Sequence, residues 1–169
     1  EMLKEEVDRQ NSGEELIVES KEVSSPLKLQ VNKFIDSNYI KNDYIKIEMH
    51  RKIAKITSKG DIKALTEEFN DRFGIPPQEI DLYMHEKLFE YLAEQKGLEK
   101  IRELKNNITF QLSKEASQQI NGEYVFEKAY EISKFIRFEF KNERLNIIIE
   151  NIKLNRHYIY VIVDLLEIL

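Results

Sequence analysis

Apolar residues in the middle of the chain recur at intervals of three and four, which is the spacing of a helix with one buried face. The clearest run predicts a helix over 59–73, with four core positions on one stripe: Ile62, Leu65, Phe69 and Phe73. Gly74 and Pro76 follow directly, and both residue types end helices. Similar spacing predicts further helices over about 43–56 and 77–96.

Alternation of apolar and polar residues predicts strands on both sides of this helical middle. Two antiparallel hairpins with two short helices between them are expected after a first, isolated strand. In chain order these elements cover about 27–35, 98–104, 107–113, 114–120, 123–134, 135–141 and 144–152. The last stretch, 158–169, fits a strand or a helix by periodicity alone. The predicted fold class is α+β, with three middle helices packed on a small, mainly antiparallel sheet.

Composition narrows the class of protein. The chain has 169 residues, a net charge of −5 and 34% charged residues, which fits one soluble domain with an additional segment. The acidic balance argues against a protein whose main task is to hold a phosphate backbone. Cysteine is absent, which excludes disulfides and fits a cytoplasmic location. The first ten residues lack the apolar core of a signal peptide, and a start at Glu1 suggests a piece of a longer chain.

A search for catalytic chemistry finds no candidate. The five glycines are too dispersed for a phosphate-binding loop, and no nucleophile elbow or zinc-protease motif is present. His50, His85 and His157 are isolated in sequence and are interpreted as packing or surface residues. No catalytic residue, cofactor site or metal site is therefore predicted.

Charge is distributed unevenly along the helical middle. Residues 41–63 contain seven Lys and Arg against three Asp and Glu, whereas residues 64–99 contain three against nine. Four cations about one helical turn apart form a candidate basic face: Arg51, Lys52, Lys55 and Lys59. This face would follow phosphates in a nucleic-acid-binding module built on 43–63, or it is a solvated helix surface.

The helix over 59–73 also carries a candidate acidic face. If its apolar stripe is buried, four residues point outward, a small one ringed by three carboxylates: Ala64, Glu67, Glu68 and Asp71. Such a surface would accept an arginine-bearing partner, because guanidinium groups pair well with carboxylates. The alternative, a solvated face, is equally compatible with the residues alone.

Four segments resemble one known family. EEFNDRFGIPPQEID (67–81), with its Asp-Arg-Phe-Gly-x-x-Pro run, is similar to the C-terminal domain of bacterial transcription-repair coupling factors (Mfd). VNKFIDSNYI (31–40), KIEMHRKI (46–53) and LAEQKGLEKI (92–101) resemble three further family motifs. The resemblance covers about residues 29–101. Ser37-Asn38 replaces the family's Pro-x at the entry turn within 31–40, and a looser turn is expected there.

The resemblance implies a fold and a function. It implies that 158–169 is a helix, that 1–26 is the tail of a preceding translocase module plus a flexible linker, and that 27–169 is the compact domain. The family's C-terminal domain is non-catalytic and folds back on a UvrB-like module of an ATP-hydrolysing DNA translocase. It thereby hides the surface that recruits UvrA and restrains the motor until RNA polymerase is engaged. The resemblance favours the acidic face as part of that intramolecular interface, and implies no membrane partner.

Overall fold

From residue 43 onward, the helices and strands follow the predicted order. The structure, a computed structural model, describes Leu29 and residues 31–169, so the predicted N-terminal tail and linker over 1–26 lie outside the described residues. In chain order the elements are α1 (Asp43–Ala54), α2 (Lys59–Phe73), α3 (Gln78–Gln95), β1 (Leu98–Glu103), β2 (Ile108–Leu112), α4 (Lys114–Gln118), α5 (Gly122–Ile132), β3 (Ile136–Lys141), β4 (Arg144–Ile149) and α6 (Tyr158–Ile168), with a short 3₁₀ turn at Asn151–Lys153. The helical assignment of the C-terminal stretch is confirmed.

Side chains at the helix ends explain where α2 begins and stops. The Ser58 hydroxyl accepts a hydrogen bond from the Asp61 amide, an N-cap that satisfies one of the unpaired amides of the first turn. At the other end Gly74 has a φ of 90° and a ψ of 179°, a conformation that a side chain would strain. The Tyr39 hydroxyl donates to the Gly74 carbonyl at 2.6 Å, which holds this turn against the N-terminal segment.

The four strands form one antiparallel sheet in the order β1-β2-β4-β3. Asn142 and Glu143 connect β3 to β4 as a two-residue turn with φ values of 52° and 62°. Positive φ at both positions matches the turn type whose twist fits a hairpin. This two-residue turn fixes the β3–β4 register, with Lys141 opposite Arg144.

Helix α3 lies at the centre of the molecule. It contacts α1, α2, α6 and β1, and Phe89 on α3 meets Phe110 on β2 with ring centroids 5.9 Å apart. One face of the sheet packs toward the helices through Ile108, Phe110 and Leu112 of β2 and through Leu145, Ile147 and Ile149 of β4. The opposite face carries Thr109, Gln111 and Asn146.

One predicted strand is wrong. Residues 27–35 were expected to form a strand, but Leu29 and residues 31–35 have no regular structure. The Val31 amide donates to the Leu29 carbonyl at 3.0 Å, a local bond that an extended strand does not form. Leu29 and Ile35 are buried in the core, and Lys33 between them contacts α3. The alternation therefore reflects burial on one side against the helices, without partners in the sheet.

We expect Phe69→Ala to reduce the free energy of unfolding by about 3–5 kcal/mol, because the Phe69 ring is fully buried. Phe34→Ala is the matched control: Phe34 is exposed, and substitutions at exposed positions change stability by roughly 0.5 kcal/mol or less. Urea denaturation of both variants provides the measurement. Equal midpoints for the two variants would contradict the burial of Phe69.

Candidate functional site

The acidic face lies on the outer surface of α2. Ala64, Glu67 and Asp71 are exposed, and neither Glu67 nor Asp71 forms an ion pair with another described residue. Glu68 differs from the expected outward placement, because its side chain is only 32% exposed and contacts Lys52 on α1. Glu67 and Asp71 are thus the two carboxylates of this face that have no ion-pair partner among the described residues.

Two sets of ion pairs join α1 to α2. Arg72 donates through Nη1 and Nη2 to both carboxylate oxygens of Glu48, at 3.1 and 3.4 Å. One helical turn away, Lys52 contacts Glu68 and also lies 3.3 Å from Glu48. Arg72 approaches Glu68 at 3.9 Å, which closes a network of four alternating charges. Networks of this kind hold two helices in a fixed register.

The pKa values of the network follow from these contacts. The hydrogen bond from Arg72 lowers the pKa of the Glu48 carboxyl, with Lys52 adding to the effect. The hydrogen bond to Glu68 raises the pKa of Lys52. The shifts of Glu48 and Lys52 both favour the charged forms, and the Lys52–Glu68 ion pair places opposite charges together on the surface.

A groove opens between α1 and α2 beyond the last ion pair. It has a volume of about 340 Å³, and Ala64 lies on one wall, where a larger side chain would fill it. Ile56 and Leu65 form an apolar floor. The remaining walls are charged, with Lys52 and Lys55 on the α1 side and Asp61 and Glu68 on the α2 side. The groove can therefore receive a side chain with an apolar stem and a charged or polar end.

Asp61 contributes to the groove and to the start of α2. Its carboxylate accepts hydrogen bonds from the Thr57 amide at 3.0 Å and the Thr57 hydroxyl at 3.1 Å. The bond from the Thr57 amide is the main reason that the pKa of Asp61 lies below its ordinary value. The main role of Asp61 is thus to cap the start of α2. The same hydrogen bonds hold its carboxylate in position at the groove.

The basic face is divided by the fold. Lys52 pairs with Glu48 and Glu68, and Lys59 pairs with Asp164 and Glu167 on α6. Within the described part of the chain, Arg51 and Lys55 alone of the four keep their cations unpaired. Two cations are less than a phosphate-binding surface normally uses, so the nucleic-acid interpretation loses half of its candidate residues.

Sequence reasoning missed Glu48 and Arg72, which organise this surface. A signal was present, because Glu48 with Lys52 and Glu68 with Arg72 are oppositely charged pairs at a spacing of four residues. The same spacing does not reveal that the two pairs interlock across helices.

A second cluster missed by sequence reasoning links the N-terminal segment to α3. Lys33 Nζ lies 3.1 Å from Glu86 Oε1 and 3.0 Å from Glu90 Oε1. The side chain of Glu86 is completely buried, and neither of its oxygens forms a hydrogen bond of regular geometry. Lys87 pairs with the other oxygen of Glu90 at 3.1 Å.

Burial raises the pKa of Glu86 to about 7, because the ionised carboxylate is poorly solvated there. Burial opposes ionisation of Glu90 as well, but the adjacent Glu86 carboxyl and the Lys33 ammonium outweigh it and lower the pKa of Glu90. At a pH between the lowered pKa of Glu90 and the raised pKa of Glu86, the two carboxyls together hold one proton. The single negative charge then matches the single charge of Lys33.

The three histidines have structural contacts. His50 Nδ1 lies 2.8 Å from the Tyr83 hydroxyl, His85 Nδ1 lies 2.8 Å from the Asp81 carbonyl oxygen, and the His157 ring caps α6 by accepting from the Ile159 amide. Among Leu29 and residues 31–169, no group of three or more His, Asp and Glu is arranged to hold a metal ion. In the same part of the chain, none of the helices is both long and apolar enough to cross a membrane.

The chain is similar in sequence to one family of known proteins. The family model of the TRCF domain matches residues 29–123. The transcription-repair-coupling factor of Staphylococcus haemolyticus is 25% identical over 146 residues, which cover 86% of this chain. Those of Bacillus subtilis and Borreliella burgdorferi are 24% and 28% identical over 149 residues each, covering 88% and 81% of the chain. The chain spans only 12–13% of the length of these curated relatives.

The fold has a solved counterpart. A crystal structure of the C-terminal domain of a transcription-repair coupling factor superposes with a TM-score of 0.66 at 22% sequence identity. The match covers 83% of this chain and 86% of the other. The mixed helical and antiparallel architecture is therefore that of this domain.

We expect the wild-type protein to lose stability relative to Glu86→Gln as the pH rises from about 4.5 to about 7. The ordinary pKa of a glutamate is 4.5, and burial raises that of Glu86 to about 7. In this interval the unfolded chain releases the proton freely while the folded chain retains it, so rising pH favours unfolding. Glutamine imitates the neutral carboxyl and does not titrate. Urea unfolding at a series of pH values measures the difference.

Glu94→Gln is the control for this experiment, because Glu94 is exposed at the end of α3. Burial lowers the pKa values of His50 and His157, so their contribution to stability increases with pH in part of the same interval. That contribution is common to all three proteins and cancels in the differences. A wild-type profile parallel to that of Glu86→Gln would contradict the raised pKa.

Proposed function

The chain belongs to the TRCF domain family and has the fold of the C-terminal domain of a transcription-repair coupling factor, and we propose that it is the autoregulatory part of such a protein. In this proposal the domain is not catalytic. It folds back on a UvrB-like module of an ATP-driven DNA translocase, covers the surface that recruits UvrA, and restrains the motor until RNA polymerase is engaged. UvrA, RNA polymerase and DNA are then partners of the parent protein, and this domain acts on them indirectly.

The observation that carries the proposal is the pair of unpaired carboxylates on α2, beside the groove between α1 and α2. Glu67 and Asp71 are four residues apart and exposed, with Ala64 three residues before Glu67. A guanidinium group would form charge-assisted bonds with these carboxylates, while an apolar side chain beside it would enter the groove next to Ala64. The floor of Ile56 and Leu65 supplies the apolar contact.

Glu68 has a supporting role in this proposal. Its carboxylate is already neutralised by Lys52, so it adds little attraction for an incoming cation. The network of Glu48, Lys52, Glu68 and Arg72 instead fixes α2 relative to α1 and so keeps the groove in shape. The interface then consists chiefly of Ala64, Glu67 and Asp71.

The chemistry of the surface suits a contact that must open. Exposed charge pairs are screened by salt and contribute modestly, and a groove of this size accepts few side chains. Coupling between sites in regulated proteins is typically about 1–3 kcal/mol. A polar interface in this range holds a closed state and is released by a conformational change elsewhere in the parent.

We expect reversal of the two unpaired carboxylates to open the parent protein. Glu67→Lys with Asp71→Lys should change the stability of the domain by roughly 0.5 kcal/mol or less, since both side chains are exposed. In the parent the same double variant should capture more UvrA and hydrolyse ATP faster than the wild type. Pull-down with UvrA and steady-state ATPase assays, at low and high salt, measure both effects.

The control carries the same charge change on another surface. Glu94→Lys with Glu127→Lys alters two exposed glutamates that have no ion-pair partner among the described residues. If the control opens the parent as much as the α2 variant does, net charge explains the result. If neither variant changes UvrA capture, the acidic face is a solvated surface.

A steric substitution tests the groove separately from charge. We expect Ala64→Phe to fill the groove and weaken the closed state, again seen as increased UvrA capture. Ala54→Phe, at the exposed last residue of α1, is a control of the same size outside the groove lining. Equal UvrA capture by the Ala64 and Ala54 variants would contradict docking at the groove.

A further inference from the structure

Strand β3 ends the sheet on one side and leaves backbone groups unpaired. The Phe135 carbonyl accepts a hydrogen bond from the Glu150 amide at 3.0 Å, so odd-numbered residues direct their amides and carbonyls toward β4. By the alternation of an antiparallel ladder, Ile136, Phe138 and Phe140 direct theirs outward. Among the described residues, no backbone hydrogen bond from another segment reaches these three.

The two edges of the sheet differ in protection. Edge strands are normally kept from pairing by bulges, prolines or a covering segment. The β1 edge has an irregularity between Leu98 and Lys100. The register of β3 is unbroken from Ile136 to Lys141, and the strand contains no proline. The β3 edge is therefore the one that can accept another strand.

An aromatic rim lies beside this edge on the helical side of the sheet. Phe140 is 64% exposed, and on α5 Phe126 and Tyr130 are 53% and 73% exposed. The Phe126 ring meets the Phe138 ring edge-on, with centroids 4.9 Å apart, so the rim is continuous from helix to strand. Exposed aromatic groups next to unpaired backbone are the features of a strand-addition site.

The sequence of β3 indicates which strand would pair there. We propose that the β3 edge binds β3 of a second copy of this chain, antiparallel and centred on Phe138. In this register Arg137 lies opposite Glu139 of the partner subunit, and Glu139 opposite Arg137 of the partner subunit. On the other face Ile136 lies opposite Phe140 of the partner subunit, and the two Phe138 side chains meet at the two-fold axis.

Charge complementarity selects this register over its neighbours. A shift by two residues in one direction puts Arg137 opposite Arg137 of the partner subunit. The opposite shift puts Glu139 opposite Glu139 of the partner subunit. Like charges directly opposite each other are destabilising, whereas opposite charges and aromatic pairs contribute favourably. Because Phe138 directs its backbone groups outward, the two Phe138 residues form a hydrogen-bonded pair. Arg137 and Glu139 then lie in the flanking non-hydrogen-bonded pairs, where opposite side chains are closest.

The resulting interface is small, one six-residue strand and its aromatic rim from each copy. Interfaces at the low end of the size range are weak and reversible. We therefore expect a dimer that forms between micromolar and millimolar concentrations of the chain. The interface uses neither α1 nor α2 and leaves the groove at Ala64 uncovered.

Charge reversal provides the test, by sedimentation equilibrium of the whole chain over that concentration range. Arg137→Glu alone and Glu139→Arg alone should each be monomeric, because each homodimer would bring like charges together at two places. An equimolar mixture of the two variants should dimerise again, since every cross-pair is then of opposite charge. Glu94→Arg, on an exposed position of α3, should dimerise like the wild type.

Both variants should fold normally, and circular dichroism checks this. Arg137 is 61% exposed and lies 3.8 Å from Glu150, which Lys153 also contacts at 2.9 Å. A wild-type chain that stays monomeric throughout would overturn the proposal. Dimers that persist in both single variants, or a mixture that stays monomeric, would overturn it equally, because the association would then not depend on the β3 pairing.

Discussion

The structure depends on the burial of α3 on nearly all sides. This helix packs between α1 and α2, the C-terminal α6 and the face of the sheet, and its buried positions run along its length: Ile80, Tyr83, Met84, Glu86, Leu88, Phe89 and Ala93. A helix enclosed in this way must bury whatever its sequence places on each face. One of these positions is a glutamate, so the fold must supply either a proton or a cation there. Lys33, brought in by the irregular N-terminal segment, supplies the cation, and burial retains the proton to a pKa of about 7.

The outer helices show how internal pairing shapes the surface that remains. Charges on α1 and α2 interlock through Glu48, Lys52, Glu68 and Arg72, and this network stops where Ala64 is too small to fill the space between the helices. The charges available to a partner are therefore those that this network does not use. The carboxylates of Glu48 and Glu68, which fix the helices, are neutralised. Those of Glu67 and Asp71, on the adjacent face of α2, are exposed and have no ion-pair partner among the described residues. The proposed contact with a UvrB-like module would use the second group.

The sheet and the helical groove face different parts of the surface, and they differ in chemistry. The groove is charged and shallow, which suits reversible recognition by a guanidinium-bearing partner. The β3 edge combines unpaired backbone with exposed aromatic rings, which suits strand pairing. The aromatic residues Phe138 and Phe140 sit on the side of β3 that faces the helices, but α5 covers this side incompletely. The same hairpin thus contributes to the core through β4 and to an exposed rim through β3.

The sequence by itself determined those features that depend on residues close together in the chain. The phase of α2, its stop at Gly74 and the hairpin turn at Asn142 and Glu143 follow from periodicity and from conformations that few residues adopt. The resemblance to coupling factors was likewise carried by short segments, and the family comparison confirms it. Only the tertiary structure decided that Glu68 is paired with Lys52, and that Lys59 is paired with Asp164. Lys52 lies 16 residues before Glu68, and Lys59 lies 105 residues before Asp164, so the register between separate helices sets these contacts. The expected strand over 27–35 failed for the same reason: an alternating pattern records which side is buried, but it does not record whether a sheet or a helix covers that side.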